Sequence, residues 1–182
     1  MEREFETQVP DINVKQIVAR LRKLGAVEEP ELLQKRWVFD IKPCNDKSQG
    51  EWIRLRQAGD KKPTITYKDK TGKGLTETKE LEIEVSDFDM AYKILSKIQF
   101  AGTYYQENRR HKFKIDQIEF TIDSWPMIPP LLEIEGKSEA DVAKGLEMLG
   151  LTGKDVGHVG MVNTYSRYGI DLHSYKKLTF ES

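Results

Sequence analysis

The hydrophobic period along this chain switches repeatedly between two and about 3.6, and the switches fall at proline, glycine, serine and Asx residues. Residues 2–9 alternate charged or polar positions with Phe5 and Val9 and stop at Pro10, which predicts a first strand. Asp11 or Asn13 can cap a helix whose Ile17, Val18, Leu21 and Leu24 share one face and which ends at Gly25. Period-two stretches over 33–41, 52–58, 64–70 and 78–85 predict four more strands, with turns over 43–50 and 59–63 and a loop over 72–74. Ser86 or Asp87 caps a second helix carrying Met90, Ala91, Ile94, Leu95 and Ile98. A hairpin of strands 104–115 and 118–124 turns at Asp116-Gln117, and a proline-rich loop leads to a last strand over 131–136. Ser138 with Asp141 resembles a capping box for a third helix running through Val142, Leu146 and Leu149 to Gly150, and a short helix falls over 162–168.

Eight strands and three substantial helices predict an α+β fold, and parity along the strands shows how its faces differ. Trp52, Arg54 and Arg56 oppose Ile53 and Leu55; Thr64, Thr66, Lys68 and Lys70 oppose Ile65 and Tyr67. Glu80, Glu82 and Glu84 oppose Leu81, Ile83 and Val85, while Glu119, Thr121 and Asp123 oppose Ile118, Phe120 and Ile122. Each strand thus has one apolar and one charged face. An antiparallel sheet with helices on one side and water on the other produces this alternation. So does a closed barrel with its charged face inward and its helices outside, whose buried charges would need a polyanion and metal ions as partners.

Two acidic stretches sharpen the second alternative. Glu4-Phe5-Glu6 and Glu133-Ile134-Glu135 each place two carboxylates on one strand face, about 6.6 Å apart, where they repel unless a cation sits nearby.

Bulk composition then narrows the partners. The 182 residues are expected to form a single domain over 1–182. Lys+Arg 29 against Asp+Glu 30 gives a net charge of -1, which offers no reason to expect nucleic acid or an anionic membrane as partner. Without an apolar stretch of membrane-spanning length or a signal-peptide core, the chain is expected to be soluble and cytoplasmic. Cys44 is the single cysteine, so no internal disulfide or cysteine-built metal site can form, and it reads as a loop thiol. His111, His158 and His173 show no metal-ligand spacing, and Trp37, Trp52 and Trp125, which could stack on a base, read better as packing residues or as residues at a tunnel mouth.

The ordered set Glu4-x-Glu6, Trp52-Ile53-Arg54-Leu55-Arg56, Thr66-Tyr67-Lys68, Glu82-x-Glu84, Arg109-Arg110, Ile122-Asp123 and Leu132-Glu133-Ile134-Glu135-Gly136 resembles the CYTH superfamily. The family includes class IV adenylate cyclases and thiamine triphosphatases, also called triphosphate tunnel metalloenzymes. The resemblance implies a closed eight-stranded antiparallel β-barrel, a tunnel with a charged interior and helices packed outside. It implies a metal-dependent enzyme acting on ATP, inorganic triphosphate or thiamine triphosphate, either as a cyclase releasing cyclic AMP and pyrophosphate or as a hydrolase. Glu4 and Glu6 carry over as catalytic residues and metal ligands, with Asp123, Glu133 and Glu135, and Glu82 and Glu84 as the acidic strand, for Mg²⁺ or Mn²⁺. Arg54, Arg56, Lys68 and Arg110, with Arg36 as a further contact, carry over as substrate-binding residues. Gln8 and Asn108 stand where the family has lysines. Family analogy allows a homodimer. A non-catalytic polyphosphate or nucleotide binder and a plain scaffold with a solvated charged face are the alternatives.

Overall fold

The computed structural model describes residues 5–42, 50–70 and 79–181. Glu4, Cys44 and the 72–74 loop lie outside the described residues, as do residues 2–4 and Thr78 of two expected strands. In chain order the elements are β1 (Phe5–Val9), α1 (Val14–Lys23), β2 (Val27–Glu28), β3 (Leu32–Asp40), β4 (Gly50–Ala58) and β5 (Thr64–Lys70). They continue with β6 (Lys79–Glu84), α2 (Phe88–Leu95), β7 (Gly102–Ile115), β8 (Ile118–Ser124), β9 (Leu131–Gly136), α3 (Glu139–Leu149) and α4 (Met161–Ser166). A 3₁₀ turn (Leu172–Ser174) and β10 (Lys177–Leu178) complete the series. The α+β class and the eight longer strands are as expected; the two-residue β2 and β10 are too short to leave a period in the sequence.

The ladder runs β1-β9-β8-β7-β3-β4-β5-β6, with β2 antiparallel and β10 parallel to β7. Among the described residues no ladder joins β1 to β6, so the closure expected of a barrel is not made by hydrogen bonds. No described helix is long and apolar enough to cross a membrane. The chain divides into two compact units, Met1–Leu32 with Arg109–Gly160, and Leu33–Asn108 with Met161–Ser182.

In the first unit, the apolar faces of β1, β8 and β9 meet α1 and α3 in a core built around Val9, Ile17, Leu21, Phe113, Phe120, Ile134 and Leu146. Asn13, not Asp11, caps α1 by accepting a hydrogen bond from the Gln16 amide at 3.1 Å. Ser138 caps α3 through the Asp141 amide as expected, and Gly150 closes that helix in the left-handed conformation at φ 65°. Gly145 has a different purpose: a Cβ there would come within 2.6 Å of Ile134 Cγ2, so its absence lets α3 lie close on the sheet.

In the second unit, α2 packs Phe88, Ala91 and Leu95 onto Phe39 and Leu55. Met90, Ala91, Ile94, Leu95 and Ile98, which the sequence spaces helically, therefore divide between two sides of the helix. Met90, Ile94 and Ile98 are 54%, 62% and 54% exposed. The i, i+3, i+7 set beginning at Phe88 defines the buried stripe, and the i, i+4, i+8 set beginning at Met90 lies on the helix flank. Trp37 stacks on Tyr92 at 4.2 Å along this core, which bears out its packing assignment.

The two faces of α2 should separate cleanly in stability measurements. Leu95→Ala is expected to lower unfolding free energy by about 2–5 kcal/mol and Ile94→Ala by less than about 0.5 kcal/mol, both read by urea denaturation. Equal losses would contradict the observed helix orientation.

Candidate functional site

Antiparallel register brings the charged residues of the first unit into rows. Glu6 pairs with Glu135, which pairs with Glu119, which pairs with Lys114. The next row runs Gln8, Glu133, Thr121 and Lys112, and the third brings Leu131, Asp123 and Arg110 together. Paired residues share a sheet face, so Glu6, Asp123, Glu133 and Glu135 occupy one face as parity predicted. Glu119 belongs to this set too and was not singled out as a site residue, although its parity with Asp123 was readable.

Arg110 organises the third row. Its Nε donates to Asp123 Oδ1 at 2.9 Å, and its Nη2 donates to Asp123 Oδ2 and, at 2.9 Å, to Glu133 Oε2. Asp123 is only 1% exposed. Burial by itself would lower the arginine pKa, but the Asp123 hydrogen bonds and the charges of Asp123, Glu133 and Glu119 hold it above the ordinary value. A fork of donors shared by two carboxylates is a strong, charge-cancelled arrangement.

Glu6 has a neighbour that spacing gave no reason to expect. His158 Nδ1 contacts Glu6 Oε1, from a loop that pairs with β1 through Gln8 N–H to Gly157 O at 3.1 Å and Val156 N–H to Gln8 O at 2.9 Å. Thr7 donates to Asp155 Oδ2 at 2.8 Å and fixes the same loop. No regular element announces this segment, so the sequence held no signal for the contact.

Carboxylates facing one another across strands are the hard oxygen donors that Mg²⁺ or Mn²⁺ prefers, and the donor set of Glu6, Glu133 and Glu135 fits such an ion chemically. Among the described residues, no three carboxylate or imidazole side chains converge closely enough to hold a metal ion.

The second unit carries the basic residues, again in rows. Arg36 pairs with Arg56, Thr64 and Glu84; Val38 with Arg54, Thr66 and Glu82; Asp40 with Trp52, Lys68 and Glu80. Arg36, Arg54, Arg56 and Lys68 therefore share one face of three adjacent strands, and two of the arginines are directly opposite. Arg54 Nη2 donates to Thr66 Oγ1 at 3.3 Å and lies 3.8 Å from Glu82, while the Thr66 hydroxyl donates to Glu82 at 2.5 Å. Lys68 is bonded to Glu80, and Glu84 lies 3.6 Å from Lys62. Burial, then the charge of Arg54, lowers the Lys68 pKa against the opposing pull of Glu80, with Arg56 lowering it further. Arg36 Nη2 donates to Gln34 Oε1 at 3.0 Å and to Asn108 Oδ1.

Much of the polar face is buried. Gln8 and Thr121 in the first unit, and Gln34, Arg36, Thr66, Gln106 and Asn108 in the second, are all under 10% exposed. That burial does not fit the alternative in which the polar face is a uniformly water-washed surface.

Strand faces lined in this way, with opposed arginines in one unit and a row of carboxylates in the other, define an α+β protein whose units each carry a partly buried ionic sheet face. The chain belongs to the CYTH domain family, whose model matches residues 1–155. Several solved structures share the fold, among them the following three. The PH1012 protein from Pyrococcus horikoshii OT3 is 24% identical, with 84% of this chain and 93% of that one covered and a TM-score of 0.67. A candidate adenylate cyclase from Vibrio parahaemolyticus is 13% identical, with coverages of 91% and 98% and a TM-score of 0.70. The candidate adenylyl cyclase HpAC1 from Hippeastrum, which has a dominant triphosphatase activity, is 16% identical, with coverages of 93% and 96% and a TM-score of 0.60. At these identities the likeness is one of fold. No curated protein matches the chain.

The buried ion pair makes a stability prediction. Asp123→Ala leaves Arg110 with one of its two carboxylates and is expected to destabilise the protein by about 3–5 kcal/mol. Asp123→Leu combined with Arg110→Met should cost clearly less than the sum of the separate changes, since neither Asp123 nor Arg110 is left without the other. Additive losses in chemical denaturation would contradict the assignment.

Proposed function

We propose that this protein is a metal-dependent triphosphatase, cleaving a phosphoanhydride of a triphosphate-containing compound. The observation that carries the reading is the basic face of the second unit. Arg36 and Arg56 are directly opposite, with Arg54 and Lys68 on the same face, although like charges across a ladder are destabilising. A bound polyanion reverses the sign of that energy. Family membership supports a triphosphate as the polyanion. Hydrolysis is favoured over cyclisation by analogy with the fold-sharing Hippeastrum protein, in which triphosphatase activity is dominant.

In this reading Arg54 and Arg56, side by side along β4, grip successive phosphates through their planar donor forks, and Lys68 adds a compact charge. Arg110, held by Asp123 and Glu133, serves first to orient those carboxylates. Glu4 and Glu6 of the E-x-E pair, with Glu133 and Glu135, would hold Mg²⁺ or Mn²⁺; Asp123, Glu82 and Glu84 complete the acidic set. When bound, the ion neutralises charge on the phosphate oxygens. The chain's own contribution is positioning and fixed charge, the main requirement of phosphoryl transfer.

The decisive experiment incubates the protein with inorganic triphosphate, ATP and thiamine triphosphate, each with Mg²⁺ or Mn²⁺, and measures phosphate and cyclic AMP. Phosphate release without cyclic AMP is the expected result. Cyclic AMP formation would favour the cyclase, tight binding without turnover the non-catalytic binder, and neither binding nor turnover would remove the proposal. Arg56→Ala should weaken triphosphate binding by about 10-fold or more, the loss of a charge-assisted contact. Glu6→Gln should reduce turnover by about 10²-fold with a much smaller change in binding.

Lys68 adds a pH dependence. Burial holds its folded pKa below the ordinary 10.5, so its charge is lost as pH rises through that lowered value, before exposed lysines titrate. The unfolded chain binds the proton more tightly, so this group's contribution to stability is present above 10.5 and declines as pH falls through the folded pKa. Triphosphate affinity should therefore fall on the alkaline side below 10.5 in the wild type, and Lys68→Arg should retain affinity to higher pH in calorimetric titrations. Identical pH profiles would exclude this role for Lys68.

A further inference from the structure

Glu6 lies on β1, which stands at one end of the ladder with β9 beside it. Residues 155–158 run along the other side of β1. The Gln8 N–H donates to Gly157 O at 3.1 Å and the Val156 N–H to Gln8 O at 2.9 Å, so this segment pairs with β1 much as a further strand would. Gly157 takes a φ of 74°, a left-handed turn that a residue with a Cβ adopts only under strain, and it directly precedes His158. Successive strand residues face opposite sides of a sheet, so Glu6 and Thr7 point apart. Asp155 accepts from Thr7 Oγ1 at 2.8 Å on one side, and His158 Nδ1 contacts Glu6 Oε1 on the other. The segment is thus a clip that grips β1 on both faces.

The anchors of this clip are buried, with Thr7 5% and Gln8 2% exposed. The contact that it delivers is more open, the side chains of His158 and Glu6 being 46% and 35% exposed. An exposed pair of this kind adds little stability, because water screens it and ordering the side chains costs entropy. Its effect is on direction. An ionised carboxylate has about four lone-pair sites, so accepting one N–H bond is compatible with ligating a cation. A donor held beside a ligating carboxylate fixes the orientation in which it meets the metal.

We infer that His158 is a positioning residue for the metal site, its Nδ1–H holding the Glu6 carboxylate in the orientation that binds a divalent cation. The inference rests on the proposed metal-dependent reading and deepens it. His158 lies beyond residues 1–155 that the family model matches, so family membership assigns it no part in the site. The rival role for the same contact is a counter-charge that competes with the metal for Glu6, and the two roles predict opposite effects when the imidazole is removed.

Titration of the full-length protein with Mn²⁺, followed by the electron paramagnetic resonance signal of the free ion, tests this. The proteins compared are wild type, His158→Ala, His158→Asn, His158→Gln, Glu6→Ala and the double variant Glu6→Ala/His158→Ala. His158→Ala should weaken Mn²⁺ binding by about 10-fold or more. His158→Asn, whose amide nitrogen comes near the place of Nδ1, should stay within about 3-fold of wild type, while His158→Gln, whose amide stands nearer the place of Nε2, should not. Once Glu6→Ala is in place, removing His158 should cost less than about 2-fold more, since it acts through Glu6. Thermal melts without metal should agree within about 2 °C across the His158 variants, so that lost affinity reports orientation. Unchanged affinity in His158→Ala, or independent losses at positions 6 and 158, would overturn the inference while leaving the metal site standing. Tighter binding by His158→Ala would do the same and identify the competing counter-charge. A His158→Ala protein that melts well below wild type without metal, with no rescue of affinity by His158→Asn, would mark a merely structural role and also overturn it. Absence of Mn²⁺ binding by the wild type would overturn the metal-dependent reading together with the inference.

Discussion

Register is the constraint on which every other feature depends. Side chains on a strand alternate faces, so a slip of one residue between neighbours would send each charged row into the hydrophobic core and each core residue into the ionic face. The apolar set prevents this: Phe120 pairs with Ile134 and Ile122 with Leu132 in the first unit, and Leu55 with Ile65 in the second. Burial of those pairs is what aligns Asp123 with Arg110 and Arg36 with Arg56. Site geometry is therefore a consequence of core packing on the opposite face of the same strands.

The two units use their ionic rows differently. In the first, Arg110 is compensated by Asp123 and Glu133, and Lys112 donates to Glu119 at 2.5 Å. Glu6, Glu135 and Glu119 form a continuous acidic row across three strands, a distribution that attracts a cation. In the second unit the positive residues cluster, and the compensating acids lie largely on the edge strand β6, where Glu80 and Glu82 are exposed. Burial, and then charge repulsion from Arg54, lowers the pKa of Lys68 in that cluster.

Parity made the charged rows of the candidate site readable in advance, because membership of a face needs only the strand and the residue's position in it. It correctly grouped Arg54 with Arg56, and Glu133 with Glu135, and local capping chemistry located α3 through Ser138 and Gly150. Contacts that depend on long-range packing were not readable. Nothing near Glu6 indicated that His158, far along the chain in a loop, would reach it. Nothing near Arg36 indicated that Asn108 would become its acceptor, since the partners are brought together only when β3 and β7 pair. On α2, a short helix with apolar residues on most sides, period alone could not decide whether Leu95 or Ile94 faced the core. Packing against Phe39 and Leu55 made that choice.

The two amides that replace family lysines follow from the same burial. Gln8 is 2% exposed and Asn108 0%, and Gln8 lies in register with Glu133, a carboxylate already engaged by Arg110. A lysine buried to that degree shifts toward its neutral form unless a carboxylate is dedicated to it, as the lowered pKa of Lys68 illustrates even with Glu80 beside it. An arginine does not deprotonate under the same conditions. With an amide at 108, the second unit carries its positive charge on Arg36, Arg54 and Arg56, with Lys68 beside them on the same face. A face built mainly from arginines keeps its charge despite burial.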